Sequence, residues 1–533
     1  KEAEGTAKED LPLAKYPETV TVHLGGKMNP NAKIPKGMSF EDNSYTRLLK
    51  ENLNIQVVYD WTASTSDYDE KMSLCIGSNT VPEIMNVNAT QYRALLKYDM
   101  IQPLDKYFDD YASDALKSYV KSGGEELQKC ITNEDGELMA IPAPNLTAGG
   151  VNEMWIRQDW LDALGLDVPR TWDELAEVAK AFVTRDPDGN GENDTIGILG
   201  PGNSDHMNAV GGNQFGLDPL FSCFQSYPQY WLKSEDGSVE YGSIQPETKT
   251  ALENISKLYA DGVIDPETLV RSDSKEPLLA GKVGIFFGPW WCAYTFADTT
   301  LSGSADWRAY FTPLSEDGKY YTHMAEPTTQ YVVASKDCKN PEAAFKIINY
   351  LVANEQKWVE EGVTSTEMGT GDFYPLYNTY DNADEIEKSY EALTKYLAGD
   401  ISMDDVDFST HKLLKNDMEA VTKLKKKPYD DFSLKYWNLD SDLAKTNLPR
   451  LVAIMVGDAP LVNEEYVPVY NAYNGQTETM EAKWANLKKM EEETFAKIIM
   501  GKADISEFDT FVKNWKNQGG DQILKEINDE LSK

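Results

Sequence analysis

The run Asp186-Pro187-Asp188-Gly189-Asn190-Gly191-Glu192-Asn193-Asp194 carries side-chain oxygens at positions 1, 3, 5 and 9 and a glycine at position 6. This is the front of an EF-hand loop, in which alternate short oxygen donors wrap one hard cation and glycine permits the sharp turn. Calcium is the ion that this donor set suits. The twelfth position is Gly197 rather than a bidentate glutamate, and Thr195-Ile196-Gly197-Ile198 reads as a strand instead of a second helix. Nothing in the spacing leaves an open catalytic position, so the ion is expected to staple a loop.

A second chemistry is written at strand ends. Val20-Thr21-Val22-His23-Leu24, a helical row Tyr45, Leu48, Leu49, Leu53, then Ile55-Gln56-Val57-Val58-Tyr59, a helix around Met72 to Ile76, and Glu83-Ile84-Met85-Asn86-Val87 spell βαβαβ, the start of a doubly wound parallel sheet. Ligands of such sheets sit at the carboxyl ends of the strands. Those ends carry Gly25-Gly26-Lys27, Asp60-Trp61 and Asn86 to Gln91, so Trp61 and the amides of Asn88 and Gln91 are expected to face one crevice. No G-x-G-x-x-G or G-x-x-x-x-G-K-[ST] accompanies them, and nucleotide binding therefore lacks its phosphate cradle.

Further along, Asn133-Glu134-Asp135-Gly136-Glu137 reads as a hairpin running into a strand that ends at Pro142. Thr171-Trp172-Asp173-Glu174 is a capping box, followed by Leu175, Val178, Ala179 and Phe182 at helical spacing. Val283 to Phe287 is a buried strand, after which Gly288-Pro289-Trp290-Trp291 starts a loop. Beyond residue 380 the pattern is largely helical.

At 533 residues the chain exceeds what one core can serve. A net charge of -37, from 51 basic against 88 acidic residues, argues against nucleic acid and polyanionic partners and favours neutral ligands. The five cysteines lie singly without a disulfide framework, and four scattered histidines without H-E-x-x-H do not make a catalytic zinc site. No apolar run approaches the roughly 20 residues of a membrane span.

Several segments together resemble the extracellular solute-binding proteins of bacterial sugar ABC transporters, in the large Firmicutes lipoprotein subgroup that includes alginate-binding proteins. They are the Asp135-Gly136 hairpin ending in Ile141-Pro142, Trp155-Ile156-Arg157-Gln158-Asp159-Trp160-Leu161, Pro169-Arg170-Thr171-Trp172-Asp173-Glu174, Gly281-Lys282-Val283-Gly284-Ile285, Asn340-Pro341-Glu342-Ala343-Ala344, and Trp515 to Asp521 followed by Ile527-Asn528. The match runs nearly end to end. It implies an α/β, two-lobed periplasmic-binding-protein-like fold of type II, each lobe a doubly wound sheet flanked by helices, with a helix-rich C-terminal extension. A tether over 1–16, an N-terminal lobe of 17–145 plus about 315–375, and a C-terminal lobe of 146–314 plus about 376–533 are expected. Hinge crossings fall near 143–148, 310–318 and 370–378.

The function implied is capture of an oligosaccharide, neutral by the charge argument, and its delivery to ABC permease subunits without catalysis. The alternatives are a carbohydrate-active enzyme, or a binder of peptide or charged polysaccharide on the same fold. Sugar contacts need aromatic faces and hydrogen-bonding side chains, for which Trp61, Asn88, Gln91, Trp290, Trp291 and Trp437 are the candidates; the family places aromatics at the positions of Trp290 and Trp437. The resemblance also implies structural Ca2+ on Asp186, Asp188, Asn190 and Asp194 with the backbone carbonyl of Glu192, water replacing an acidic ligand where Thr195 stands. It further implies a monomer on the outer face of the cytoplasmic membrane, anchored by a lipid on a cysteine before residue 1.

Overall fold

The computed structural model describes residues 8–202, 212–301, 305–360, 369–408, 411, 413–424, 437–438 and 441–531. Its contacts divide the chain into two units, Lys1–Leu146 with Pro327–Asp384, and Thr147–Glu326 with Glu385–Lys533. The chain passes between them three times, so each unit is assembled from segments distant in sequence. Among the described residues no helix is long and apolar enough to cross a membrane.

The first unit is built on a five-stranded sheet in the order Ile55–Ser64, Val20–Met28, Ile84–Val87, Tyr331–Ala334, Ile141–Pro142. The first three strands are parallel, as the βαβαβ pattern predicts, and Tyr331–Ala334 runs antiparallel to both of its neighbours. Helix Ser44–Leu53 starts where the Asn43 side chain accepts the backbone N–H groups of Tyr45 and Thr46, and it buries Tyr45, Leu49 and Leu53 against the sheet.

Two strands run further than their apolar runs suggest, to Met28 and Ser64. Leu24 pairs with Tyr59 but Gly25 with Trp61, so Asp60 is the extra residue of a bulge. The glycines there do not end the strand. A Cβ on Gly25 would lie 2.5 Å from the Trp61 ring, and one on Gly26 2.8 Å from Phe40; both are small because aromatic rings lie over the backbone.

The second unit holds a four-stranded sheet in the order Trp307–Tyr310, Glu153–Arg157, Val283–Gly288, Ile196–Leu199. Val283–Gly288 is buried along its length, parallel to Ile196–Leu199 and antiparallel to Glu153–Arg157. Helix Trp172–Thr184 forms with its capping box in place, and Leu175, Val178, Ala179 and Phe182 face inward as their spacing predicts. Trp155 and Trp160 are core, and Trp172 lies half-buried against Phe224 with ring centroids 4.8 Å apart. The C-terminal part is helix-rich: Asp442–Val452, Glu478–Ile499, Glu507–Trp515 and Asp521–Leu531. Its Trp515 stacks on Tyr241 at 4.9 Å, which ties the tail to the Val239–Tyr241 strand.

Gly284 is a tight point of this core, since a Cβ there would meet Phe182 at 2.2 Å and Trp160 at 3.0 Å. Gly284→Ala is therefore expected to cost about 1–3 kcal/mol by overpacking, read as a lower midpoint in urea unfolding with little change of slope; an unchanged midpoint would show that the core yields at no cost.

Candidate functional site

In the first unit a cavity of about 240 Å³ opens on the carboxyl side of the parallel strands, lined by Gly25, Lys27, Tyr59, Tyr68, Asn86 and Asn378 among others. Asn86, late in its strand, donates through Nδ2 to Asn378 Oδ1 at 3.1 Å, while its own Oδ1 is buried with no hydrogen-bond partner. Tyr68 donates to the Asn86 carbonyl at 3.1 Å, and the Lys27 ammonium sits 5.6 Å from the centre of the Tyr68 ring. Asn29 donates to Asp372 at 3.0 Å and holds the 371–378 wall against the strand ends. Aromatic rings, amides and an unmet acceptor thus surround one space.

Trp61 lies half-buried beside this cavity, its ring 5.3 Å from Tyr68 and its Nε1 buried without a partner. Asn88 and Gln91 are engaged elsewhere. Asn88 Oδ1 accepts the Gln91 N–H at 3.0 Å, Gln91 Oε1 accepts the Asn88 N–H at 3.1 Å, and Gln91 Nε2 donates to the Asp69 carbonyl at 2.8 Å. The pair is a capping box for helix Ala89–Lys97, so the polar groups read as ligand contacts are used to start a helix. The amides lining the cavity are those of Asn29, Asn86, Gln330 and Asn378 instead.

In the second unit, strand Val283–Gly288 ends at Pro289 and a single 3-10 turn, Trp290–Cys292, follows. Trp290 is 6% exposed with Nε1 buried and unpartnered, while Trp291 is half-buried. Four residues after Trp290, Tyr294 is 49% exposed, its ring 6.5 Å from that of Trp290. Tyr294 was not foreseen, although the i, i+4 spacing from Trp290 places both on one helical face. Trp437, read as a stacking residue, is 1% exposed and enclosed in the core, so it has no open face for a sugar.

The loop Asp186–Asp194 joins helix Trp172–Thr184 to strand Ile196–Leu199 and so sits at the amino end of the parallel pair, opposite Gly288. Asp186, Gly189 and Gly191 take positive φ angles of 46°, 67° and 80°. Asp186 accepts the backbone N–H groups of Asn190 and Gly191, and Asn190 Nδ2 bridges Asp188 and Asp194 at 2.9 and 3.3 Å. Partial burial, the hydrogen bond that its protonated form gives to Asp186, and the charges of Asp186 and Asp194 raise the Asp188 carboxyl above its ordinary range. Lys282 pairs with Asp194 at 2.8 Å and holds that carboxyl below its ordinary range.

The donors fit a hard cation: carboxylates crowded against their own repulsion, with only one lysine to offset them. As placed here, no three His, Cys, Asp or Glu side chains among the described residues are gathered closely enough to hold a metal. Thr195 is not a donor, since its hydroxyl is given to the Phe182 carbonyl at 2.6 Å. Gly197 explains the missing twelfth ligand, because a Cβ there would strike the carbonyls of Val263 and Ala179 at 2.6 and 2.8 Å.

Residues 32–358 match the model of the family described as bacterial extracellular solute-binding protein. The fructooligosaccharide ABC transporter substrate-binding protein FusA of Streptococcus pneumoniae is 30% identical over 259 residues, a match spanning 45% of this chain and 45% of the relative. The polygalacturonan/rhamnogalacturonan-binding protein YtcQ of Bacillus subtilis is 23% identical over 519 residues, 94% of this chain and 92% of the relative. Two solved structures share the fold. The alginate-binding protein AlgQ2, determined without calcium ion, superposes with a TM-score of 0.56 at 17% identity over 100% of both chains. An EF-hand mutant of FusA in complex with fructo-nystose gives 0.54 at 17%, over 96% of this chain and 99% of that one.

The capping assignment separates stability from recognition. Asn88→Ala is expected to destabilise the first unit by about 1 kcal/mol, measured by chemical unfolding, and to leave the dissociation constant of any bound glycan within about twofold; a large loss of affinity without loss of stability would return Asn88 to the ligand.

Proposed function

Because this chain belongs to the bacterial extracellular solute-binding protein family, we propose that it is the substrate-binding component of a carbohydrate ABC importer, taking up a neutral oligosaccharide and delivering it to permease subunits. The observation that carries this reading is the cavity at the carboxyl ends of the first sheet, where Tyr59, Tyr68 and Trp61 lie beside the amides of Asn86 and Asn378. Ring faces stack on the C–H faces of pyranoses or furanoses, and amides exchange hydrogen bonds with hydroxyls. In the second unit Tyr294 and the half-buried Trp291 supply aromatic surface after strand Val283–Gly288, with the buried Trp290 ring 6.5 Å from that of Tyr294. The reading is of a binder that returns its ligand unchanged, in keeping with a family of binding proteins. The same reading makes the protein a monomer held at the outer face of the cytoplasmic membrane by a lipidated cysteine.

The same reading gives the second unit a structural Ca2+ on Asp186, Asp188, Asn190, the Glu192 carbonyl and Asp194. Calcium there would neutralise the crowded carboxylates and tie the helix Trp172–Thr184 to the sheet. Because that loop lies at the amino end of the strands, its effect falls on stability before affinity.

Calorimetric titration with a panel of neutral and acidic oligosaccharides, with products followed by chromatography, tests the function. One-to-one binding of a neutral class, recovered intact, is expected, and Tyr294→Ala is expected to weaken it about tenfold, roughly 1.4 kcal/mol. Cleavage of the sugar, or binding confined to the acidic members, would overturn the reading.

Calcium is tested separately by thermal unfolding in chelator and in excess Ca2+. Saturation to about 100 times the dissociation constant adds about 2.7 kcal/mol, so Tm should rise with Ca2+ in the native chain and not in Asp188→Ala. An equal response in both would remove the loop as the site.

A further inference from the structure

Beneath the Trp290 turn lie two acidic side chains that form no ion pair among the described residues. Glu153 opens strand Glu153–Arg157 and stands opposite Gly288 in the antiparallel ladder, at the end of the sheet where the turn begins. It is fully buried, and both of its carboxyl oxygens lack a hydrogen-bond partner. Asp458 is likewise fully buried with both oxygens unpartnered. It follows the π-helical turn Ala453–Gly457, whose Gly457 packs so tightly that a Cβ would lie 2.7 Å from the Trp290 carbonyl and 2.9 Å from the Trp155 ring.

Two further groups under the same turn are unmet, both donors: Trp290 Nε1 and Gln214 Nε2. Gln214 is close, since a Cβ on Gly288 would lie 3.3 Å from its Cα. The four carboxyl oxygens, Trp290 Nε1 and Gln214 Nε2 are thus buried around one turn with no hydrogen-bond partner among the described residues.

The charges that face the pair make ionisation costly. Glu153 feels Asp458 and Glu464, and Asp458 feels Glu387 and Glu391 of helix Glu385–Ala398, so every one of these neighbours is acidic. Three arginines of the unit pair with other acids: Arg450 with Asp417 at 2.8 Å, Arg308 with Asp306 at 3.3 Å, and Arg170 with Glu464. Lys275 acts on Cys292, whose thiol burial pushes up, with the Glu153 charge adding to it. Burial first and like charge second hold both acids well above the ordinary carboxyl range.

We infer that Glu153 and Asp458 are carried as a neutral carboxylic acid pair that positions the Trp290 turn, and that the turn loosens when the pair ionises. A neutral acid has no charge to desolvate and can both donate and accept, whereas two carboxylates that feel each other's charge would repel in a medium that screens poorly. They are positioning residues. The consequence for ligand capture rests on the reading of Trp290 above, and a ligand-free measurement keeps the two questions apart.

The sign of the pH effect follows from proton binding. In the unfolded chain both acids ionise near the ordinary carboxyl pKa of about 4, while the folded chain keeps the protons to higher pH. Folding therefore takes up protons across that window, and stability falls as pH rises through it, levelling above the folded-state pKa.

The test uses the full ligand-free chain, its Glu153→Gln and its Asp458→Asn variants, which keep the shape of the acid but cannot ionise. Thermal unfolding from roughly pH 5 to pH 9 should show a fall in Tm for the native chain that shrinks in each variant, leaving each variant about 2 °C or more above the native chain near pH 8. Hydrogen exchange of the Trp290–Cys292 amides, corrected for intrinsic rates, should rise with pH in the native chain and not in the variants. The inference is overturned if the native turn exchanges independently of pH, or if both variants lose the same Tm at every pH. Should either variant fail to fold, the native exchange profile and the other variant still decide.

Discussion

A strand buried on both faces can end only where its last residues meet something other than more core. Val283–Gly288 is such a strand, and the second unit depends on how it is accommodated. Its middle is crowded enough by Phe182 and Trp160 to require glycine at 284, and its end is fixed by Pro289, which cannot extend the ladder. The chain therefore turns at once, and Trp290, Trp291 and Tyr294 emerge at the carboxyl end of the sheet. At the other end, Lys282 reaches Asp194 of the oxygen-rich loop. One strand thus connects the two places where the unit could meet a ligand or an ion, and keeps them at opposite ends.

Much of this was legible in the chain itself. Period-two and period-3.6 patterns located the parallel strands and the helix Trp172–Thr184, and the composition of the Asp186 run marked the loop between that helix and strand Ile196–Leu199. Where the reading departed from the structure, local and tertiary uses of one residue type had competed. The Gly25-Gly26 pair looks the same whether it ends a strand or admits the rings of Trp61 and Phe40. Asn88-Ala89-Thr90-Gln91 has the spacing of a capping box, and the demands of a helix terminus outrank a distant ligand because its N–H groups must be satisfied in every copy of the fold.

Other features had no sequence signal to find. Asn378 meets Asn86 across 292 residues of chain, and no local pattern encodes such a meeting. Trp290 and Trp437 both sit in short aromatic-rich motifs, yet only the first is followed by an exposed ring on its own helical face. Burial is a property of the assembled core, so an aromatic's identity alone does not separate a platform from a packing residue.

The acidic side chains show the same dependence on context from the side of electrostatics. In the Asp186–Asp194 loop the carboxylates remain near water, where ionisation is cheap and mutual repulsion is best relieved by a shared cation. Asp218 is fully buried and accepts a hydrogen bond from Asn152 at 2.6 Å, and Glu491 accepts two, from Tyr241 and Ser243, both at 2.8 Å, with its carboxyl pushed up to about 7. Glu153 and Asp458 are fully buried and accept no hydrogen bond among the described residues, so a proton discharges them. A net charge of -37 therefore describes the surface field, while within the second unit the same residue type divides into crowded loop carboxylates, hydrogen-bond acceptors and neutral acids according to how far each lies from solvent and which donors reach it.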